Sequence, residues 1–247
     1  MILKKTKIFS QFPNVIFGFS TKSNHQADDK FYFNMSKSIG DDEKNVLENR
    51  NILFSSIGLN KSDVIIQKQT HSDIVNVVNE FANDLVGDAL ITNKQNLGLA
   101  ISTADCTNIY LYDSKQQIIA AVHSGWKGTE LQILSKTLQK LIEEFNSMPN
   151  DIFVYFGPSI CQEKYKVGKD FTKKFEPKYL SKIDDKYFLD LKRANEDMLL
   201  EFGVPQNHIE VSDNCSFTKN NFHSFRRDKK NSGRALGVIA LRKLYES

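Results

Sequence analysis

Between residues 64 and 123 the chain repeats one pattern: short apolar or alternating runs at 64–66, 74–78, 89–92, 97–101, 109–112 and 118–122, separated by Asn, Asp, Gly and Ser. Runs of this length, bounded by turn-forming residues, read as strands. Hairpin-length connections such as Asp113-Ser114-Lys115-Gln116 favour antiparallel pairing, because parallel strands need crossovers of about a dozen residues or more. The period then changes. Leu131, Leu134, Leu138, Leu141 and Phe145 form an apolar stripe that predicts a helix over 130–145, with Thr129 and Gln132 at capping-box spacing. Further helices are predicted over 42–57, 168–176 and 189–202, and a strand over 152–156. Residues 23–30 read as a polar loop. Strands and helices bunched in this way predict an α+β fold: a mixed, largely antiparallel sheet packed against helices.

No Pro-, Gly- or Ser-rich linker divides the 247 residues, so residues 1–247 read as a single domain. An apolar fraction of 40% supplies an ordinary globular core. A net charge of +3 falls short of the concentrated field of a nucleic-acid binder and leaves small anions as the suitable partners. The basic N-terminus resembles the start of a secretory leader, but Gln11, Pro13 and Asn14 interrupt it before an apolar run forms. No stretch reaches the roughly 18 apolar residues of a membrane span. Three cysteines, an odd number, argue against a disulfide framework and for a reduced compartment. The sequence therefore predicts a soluble, cytoplasmic protein, with no readable assembly signature.

The chemistry concentrates in three residues. His71 follows the run 64–69, Cys106 follows 97–104, and His123 ends 118–122, so all three can project from ends of neighbouring strands. Imidazole and thiolate are good zinc ligands, and three widely spaced protein ligands leave an open position for water or substrate. Taken singly, a histidine at a strand end is more often structural, and a lone cysteine among apolar residues is more often a small core side chain. Two neighbours strengthen the set: Asp105 adjoins Cys106 as a candidate proton carrier, and His123 opens Ser-Gly-Trp-Lys-Gly-Thr, a glycine turn into a helix where Lys127 could meet an anion. Arg226, Arg227 and Arg234 supply forked donors for phosphate near the C-terminus. Cys161 and Cys215 read as structural or incidental thiols, and His25, His208 and His223 carry no comparable context.

Gln69-Thr70-His71, Gly87-Asp88-Ala89-Leu90-Ile91-Thr92, Thr103-Ala104-Asp105-Cys106, His123-Ser124-Gly125-Trp126-Lys127-Gly128, Gly157-Pro158-Ser159-Ile160, Ser224-Phe225-Arg226-Arg227 and Ser232-Gly233-Arg234 follow one another along the chain. Together they resemble the YfiH-type laccase-domain family. That family, first described as multicopper polyphenol oxidase, is regarded as purine nucleoside phosphorylase with adenosine deaminase and methylthioadenosine phosphorylase activities. The resemblance implies those activities here, with zinc held by His71, Cys106 and His123, and a purine nucleoside and phosphate as substrates. It also implies substrate contacts at Asn34 and Arg50, which fall in segments like the family's Asn-containing strand and Asn-Arg helix. Lys22 and the loop after it replace the family's usual Arg and Gly-Gly-Val-Ser turn, and Lys166 stands where Glu is common.

Phosphorolysis would set phosphate against the ribose C1′ while the purine leaves with a proton, Arg226 and Arg234 neutralising the phosphate; deamination would set activated water against C6 of adenine. A second reading makes Cys106 a nucleophile activated by His71 or His123, in a hydrolase acting on an amide such as a peptidoglycan precursor. A copper oxidase ranks last, because multicopper centres need more histidines than the five present. A fourth reading, a structural zinc in an interaction module, needs a fourth ligand that the sequence does not offer.

Overall fold

The computed structural model describes residues 2–3, 6–22 and 31–242, so the predicted polar loop at 23–30 and His25 lie outside the described residues. In chain order the elements are β1 (Ile2–Leu3), β2 (Val15–Ser20), α1 (Glu43–Ser56), β3 (Val64–Ile66), β4 (Val75–Val77), β5 (Ala89–Thr92), β6 (Gly98–Thr103), β7 (Thr107–Asp113) and β8 (Ile118–Ser124). There follow α2 (Trp126–Glu130), α3 (Ile133–Phe145), β9 (Ile152–Phe156), β10 (Lys166–Val167), β11 (Leu180–Ile183), β12 (Lys186–Leu189), α4 (Leu191–Glu201), β13 (Ile209–Val211), α5 (Phe225–Asp228) and β14 (Ala235–Leu241). The α+β class stands.

The strands form two large sheets and one small one. The five-stranded sheet has the order β1-β2-β14-β6-β3, the six-stranded sheet β13-β9-β7-β8-β5-β4, and β10-β12-β11 form the third. Pairing is antiparallel except β3 with β6, β4 with β5 and β13 with β9, each at the edge of its sheet. The hairpin predicted at 113–116 joins β7 and β8, with Asn108 opposite His123.

Three apolar layers hold this together. Phe17, Phe19, Leu99 and Ile101 of one large sheet meet Leu90, Tyr110, Ile119 and Tyr155 of the other in a shared core. The far face of the six-stranded sheet packs on α3 and α4 through Ile109, Leu111, Leu134, Leu138 and Leu199. The far face of the five-stranded sheet packs on α1 through Leu53, Phe54, Val64 and Val238. Both central sheets are therefore covered on both sides, which is why β8 and β14 are buried along their whole lengths and read as continuous apolar runs.

Several expectations change in detail. The helix predicted over 130–145 starts only at Ile133, after the separate short helix α2 that ends at Glu130, because Gln132 adopts a left-handed backbone (φ 62°) with no side-chain cap, so the capping box is not formed. The helix predicted over 168–176 is a short 3₁₀ turn at Lys169–Lys173. Cys161 and Cys215, predicted as separate thiols, form a disulfide with Cα atoms 5.2 Å apart. Pairing of Ser159 with Cys215 brings the two segments together, a contact between residues far apart in sequence. Among the described residues no helix is long and apolar enough to cross a membrane.

Candidate metal centre

The chain passes between the two large sheets at two places that matter. The 67–74 segment leaves β3 of one sheet for β4 of the other, and the turn Ala104-Asp105-Cys106 carries β6 into β7. His71 lies on the first crossing and Cys106 on the second, while His123 lies near the end of β8, beside β7. Their donor atoms all fall within 4.8 Å of one another, and Cys106 Sγ is 3.9 Å from His71 Nε2. Residues 52 positions or fewer apart thus converge because both crossings sit at the same end of the sheets. Gly125 permits the approach: a Cβ there would lie 2.9 Å from Cys106 Sγ and 3.0 Å from the His71 ring. The gathered donors, with a glycine cleared beside them, fit a metal ion.

Asp88 lies beneath this cluster with no exposed surface. It accepts hydrogen bonds from the backbone N–H groups of Thr70, His71 and Ser72, from the Ser72 hydroxyl, and at 2.8 Å from Nδ1 of His123. Burial alone would raise this carboxyl, but the His123 and Ser72 donors outweigh burial and hold it well below the usual carboxylate range. An ionised carboxylate only accepts, so Nδ1 of His123 carries a proton and Nε2 faces the cluster.

The thiol and His123 titrate against each other. Burial would raise Cys106, but the charge of His123 and hydrogen bonds from His123 and His71 bring it down to about 6. Burial likewise opposes protonation of His123, and the Cys106 thiolate with Asp88 overcomes it, raising the imidazole to about 9. Without metal, the pair at neutral pH is a thiolate beside an imidazolium.

A cavity of about 700 Å³ opens onto this cluster, within the range of small-molecule sites. Arg50 and Arg234 line it together with the three metal-ligand candidates and Phe225. Arg50 donates from Nε to the Met35 carbonyl and Arg234 from one terminal nitrogen to the carbonyls of Ser232 and Gly233, which leaves other donors of each fork unspent among the described residues. Burial lowers both guanidinium pKa values.

Other residues singled out in the sequence lie elsewhere. Asp105 does not line the cavity: Ser216 Oγ and the Arg226 N–H occupy its two oxygens, so it fastens the start of α5 to the Cys106 turn. Asn34 is buried, donates to Ser36 and Asp41, and accepts from the Arg234 N–H, which makes it a support for Arg234. Lys127 lies over the Trp126 ring, and Trp126 packs with Phe171 in the small-sheet core. Arg226 turns away to the Lys166 carbonyl and the Tyr165 ring. Arg227 is spent on Asp228 and the carbonyls of Ser216, Phe217 and Phe222. Lys22 pairs with Asp228 and covers Tyr32. Asp88 and Phe225 were not assigned a role by sequence. An acidic residue opening a buried strand was the available signal for Asp88; Phe225, half-exposed at the cavity, offered none.

A two-sheet α+β domain that brings two histidines and a cysteine to one cavity defines a particular class. The chain belongs to the family described as multi-copper polyphenol oxidoreductase laccase, which it matches over residues 16–242. Its relatives carry other activities in their names. It is 38% identical over 221 residues to a purine nucleoside phosphorylase of Clostridium acetobutylicum, covering 86% of this chain and 92% of that protein. It is 32% identical over 225 residues to the adenosine deaminase RL5 of an unknown prokaryotic organism, covering 83% and 86%. The fold superimposes on the hypothetical protein YfiH of Bacillus licheniformis with a TM-score of 0.90 at 30% identity, covering 98% and 96% of the two chains. For YlmD of Geobacillus stearothermophilus the TM-score is 0.88 at 29% identity, covering 94% and 93%. The chain is an enzyme of this family.

Proposed function

We propose that the protein is a zinc-dependent purine nucleoside phosphorylase that also deaminates adenosine and cleaves methylthioadenosine. The observation that carries this reading is the joint placement of His71, Cys106 and His123 with Arg50 and Arg234 around one nucleoside-sized cavity. The relatives named as purine nucleoside phosphorylase and adenosine deaminase support it. Cys106 Sγ and His71 Nε2 stand 3.9 Å apart and all three donor atoms fall within 4.8 Å of one another, close enough for a single ion to be held by the set. His71, Cys106 and His123 would hold the ion, leaving one position open. When bound, zinc would supply Lewis-acid charge for activating water or a phosphate oxygen near neutral pH.

The chain's own groups do the rest. Arg50 and Arg234 present fixed cations with spare N–H donors, suited to hold phosphate or orient it toward C1′. The half-exposed Phe225 ring, backed at 5.4 Å by the Arg234 guanidinium, offers a face for the purine. Asp105 sets α5, and hence Phe225, against the Cys106 turn; we give it this positioning role in place of proton transfer. A competing reading, Cys106 as the nucleophile of an amide hydrolase, draws support from the thiolate–imidazolium pair.

Purified protein incubated with inosine, adenosine or methylthioadenosine, with and without phosphate, separates these readings. Free base that forms only with phosphate, inosine from adenosine, and about one zinc per chain lost together with activity in Cys106→Ala support the proposal. Neither free base nor inosine from any nucleoside would sink it.

A further inference from the structure

We propose that Asp88 is the positioning residue of the metal centre, one buried carboxylate that sets His71 through its backbone and His123 through its ring. The inference rests on the metal-site reading above and deepens it. Asp88 immediately precedes β5, between the two segments that supply the histidines, and it joins both through main chain as well: its N–H donates to the Ile74 carbonyl, and its carbonyl accepts from the His123 N–H at 2.7 Å.

On the first side, the N–H groups of Thr70, His71 and Ser72 converge on the carboxylate at 3.1, 3.1 and 2.7 Å. Successive N–H groups point to one spot only if the backbone departs from helix and strand. His71 does so, in the left-handed region at φ 58°. A non-glycine residue adopts that conformation at a cost, and concave arrays of N–H groups are stabilised by an anion at their focus. The charge of Asp88 therefore holds the turn that aims His71 at Cys106. On the second side, Oδ1 receives the Nδ1 proton of His123 at 2.8 Å, which fixes that ring and leaves Nε2 for the metal. The His71 and His123 rings meet edge to face, with centroids 4.9 Å apart, so displacing one disturbs the other.

Asparagine is the discriminating replacement. Its shape is nearly that of aspartate, but it has one acceptor oxygen and an NH2 group, so it cannot accept from both the N–H array and the imidazole without turning its own donors toward donors. Ser72→Ala is the control, removing one hydroxyl donor while leaving the carboxylate and all three N–H groups.

The test measures zinc affinity by chelator competition, the thiolate-to-metal absorption of the cobalt-substituted protein, and kcat and KM for inosine. Asp88→Asn is expected to bind zinc 10- to 100-fold more weakly, to shift the cobalt spectrum, and to lose kcat with KM changed little, since Asp88 does not line the cavity. Ser72→Ala should stay within a few-fold of the parent in affinity. A folded Asp88→Asn protein with parental zinc affinity and cobalt spectrum would overturn the inference alone. A parent that takes up no zinc overturns the metal reading and this inference with it. In case Asp88→Asn does not fold, nitrogen-15 NMR of the zinc-loaded parent gives a second readout. A slowly exchanging Nδ1 proton on His123 and slowly exchanging amides at residues 70–72 support the inference, and an unprotonated Nδ1 refutes it.

Discussion

Stripping metal from the protein and following the reaction of Cys106 with a pyridyl disulfide across pH tests the electrostatics of the centre. The Cys161–Cys215 disulfide leaves Cys106 as the free thiol. An ordinary cysteine at 9.0 and a thiol brought down to about 6 differ at pH 5 by about 900-fold in thiolate fraction. Low-pKa thiolates are poorer nucleophiles, and a Brønsted coefficient of about 0.4–0.5 over three units removes about 20-fold of that advantage. Native Cys106 should thus react about 40-fold faster than the unfolded chain at pH 5. The rate should level off above pH 7, and near pH 8 the unfolded thiol should overtake it. Restricted access lowers the plateau but does not move the midpoint. His123→Gln removes the cation and should move the midpoint upward, while zinc should suppress the reaction. A parental midpoint near 9, or one near 6 that survives His123→Gln, would refute the thiolate–imidazolium pair.

Cys161→Ser should lower stability by about 4 kcal/mol on the chain-entropy view, given a separation of 54 residues; urea unfolding without reductant measures this, and the parent should fall to the same midpoint when reduced. His223 is held near 3 by burial, with Lys22 and Arg234 adding to the depression. A depressed histidine contributes stability in full above its unfolded pKa of 6.5, and that contribution is lost as pH falls toward 3. The difference in unfolding free energy between the parent and His223→Gln should therefore shift by about 2–3 kcal/mol against the parent between pH 7 and pH 4.5. Phe225→Ala removes the proposed base platform; a stack worth about 1–3 kcal/mol raises the KM for inosine roughly 5- to 150-fold, and an unchanged KM would dismiss it. Arg234→Ala should raise the KM for phosphate far more than Arg226→Ala, because the Arg226 fork is directed at the Lys166 carbonyl.

How much of this was legible in the sequence depends on what kind of information each feature carries. The runs at 64–66, 89–92 and 152–156 became strands at those positions because apolar content and flanking turn residues are local signals. The strand Ala235–Leu241 is also a continuous apolar run, but such a run does not announce its partners, and β2 and β6 lie far away in the sequence. The break at Gln132 escaped notice because a capping box is a spacing of residue types, whereas the left-handed backbone at Gln132 is set by how α2 and α3 pack on β8 and α4.

The same division runs through the site, and it explains why three ligand candidates were found when their support was not. Imidazole and thiolate announce their chemistry by residue type, so His71, Cys106 and His123 could be grouped before any contact was known. Asp105 and Asp88 are the same residue type, and adjacency to Cys106 singled out Asp105, whereas Asp88 is the carboxylate that accepts from both histidine segments. The turn at φ 92° points the Asp105 carboxylate toward Ser216 and α5, while the pairing of β5 with β8 and the return of the 67–74 segment bring Asp88 under both histidines. Arg226 and Arg234 differ likewise through the one-turn helix α5, which turns one guanidinium to the Lys166 carbonyl and leaves the other behind Phe225 in the cavity. Where a group's role depends on the direction its backbone faces, residue type and spacing cannot supply it, and the crossings between the two sheets are where those directions are set.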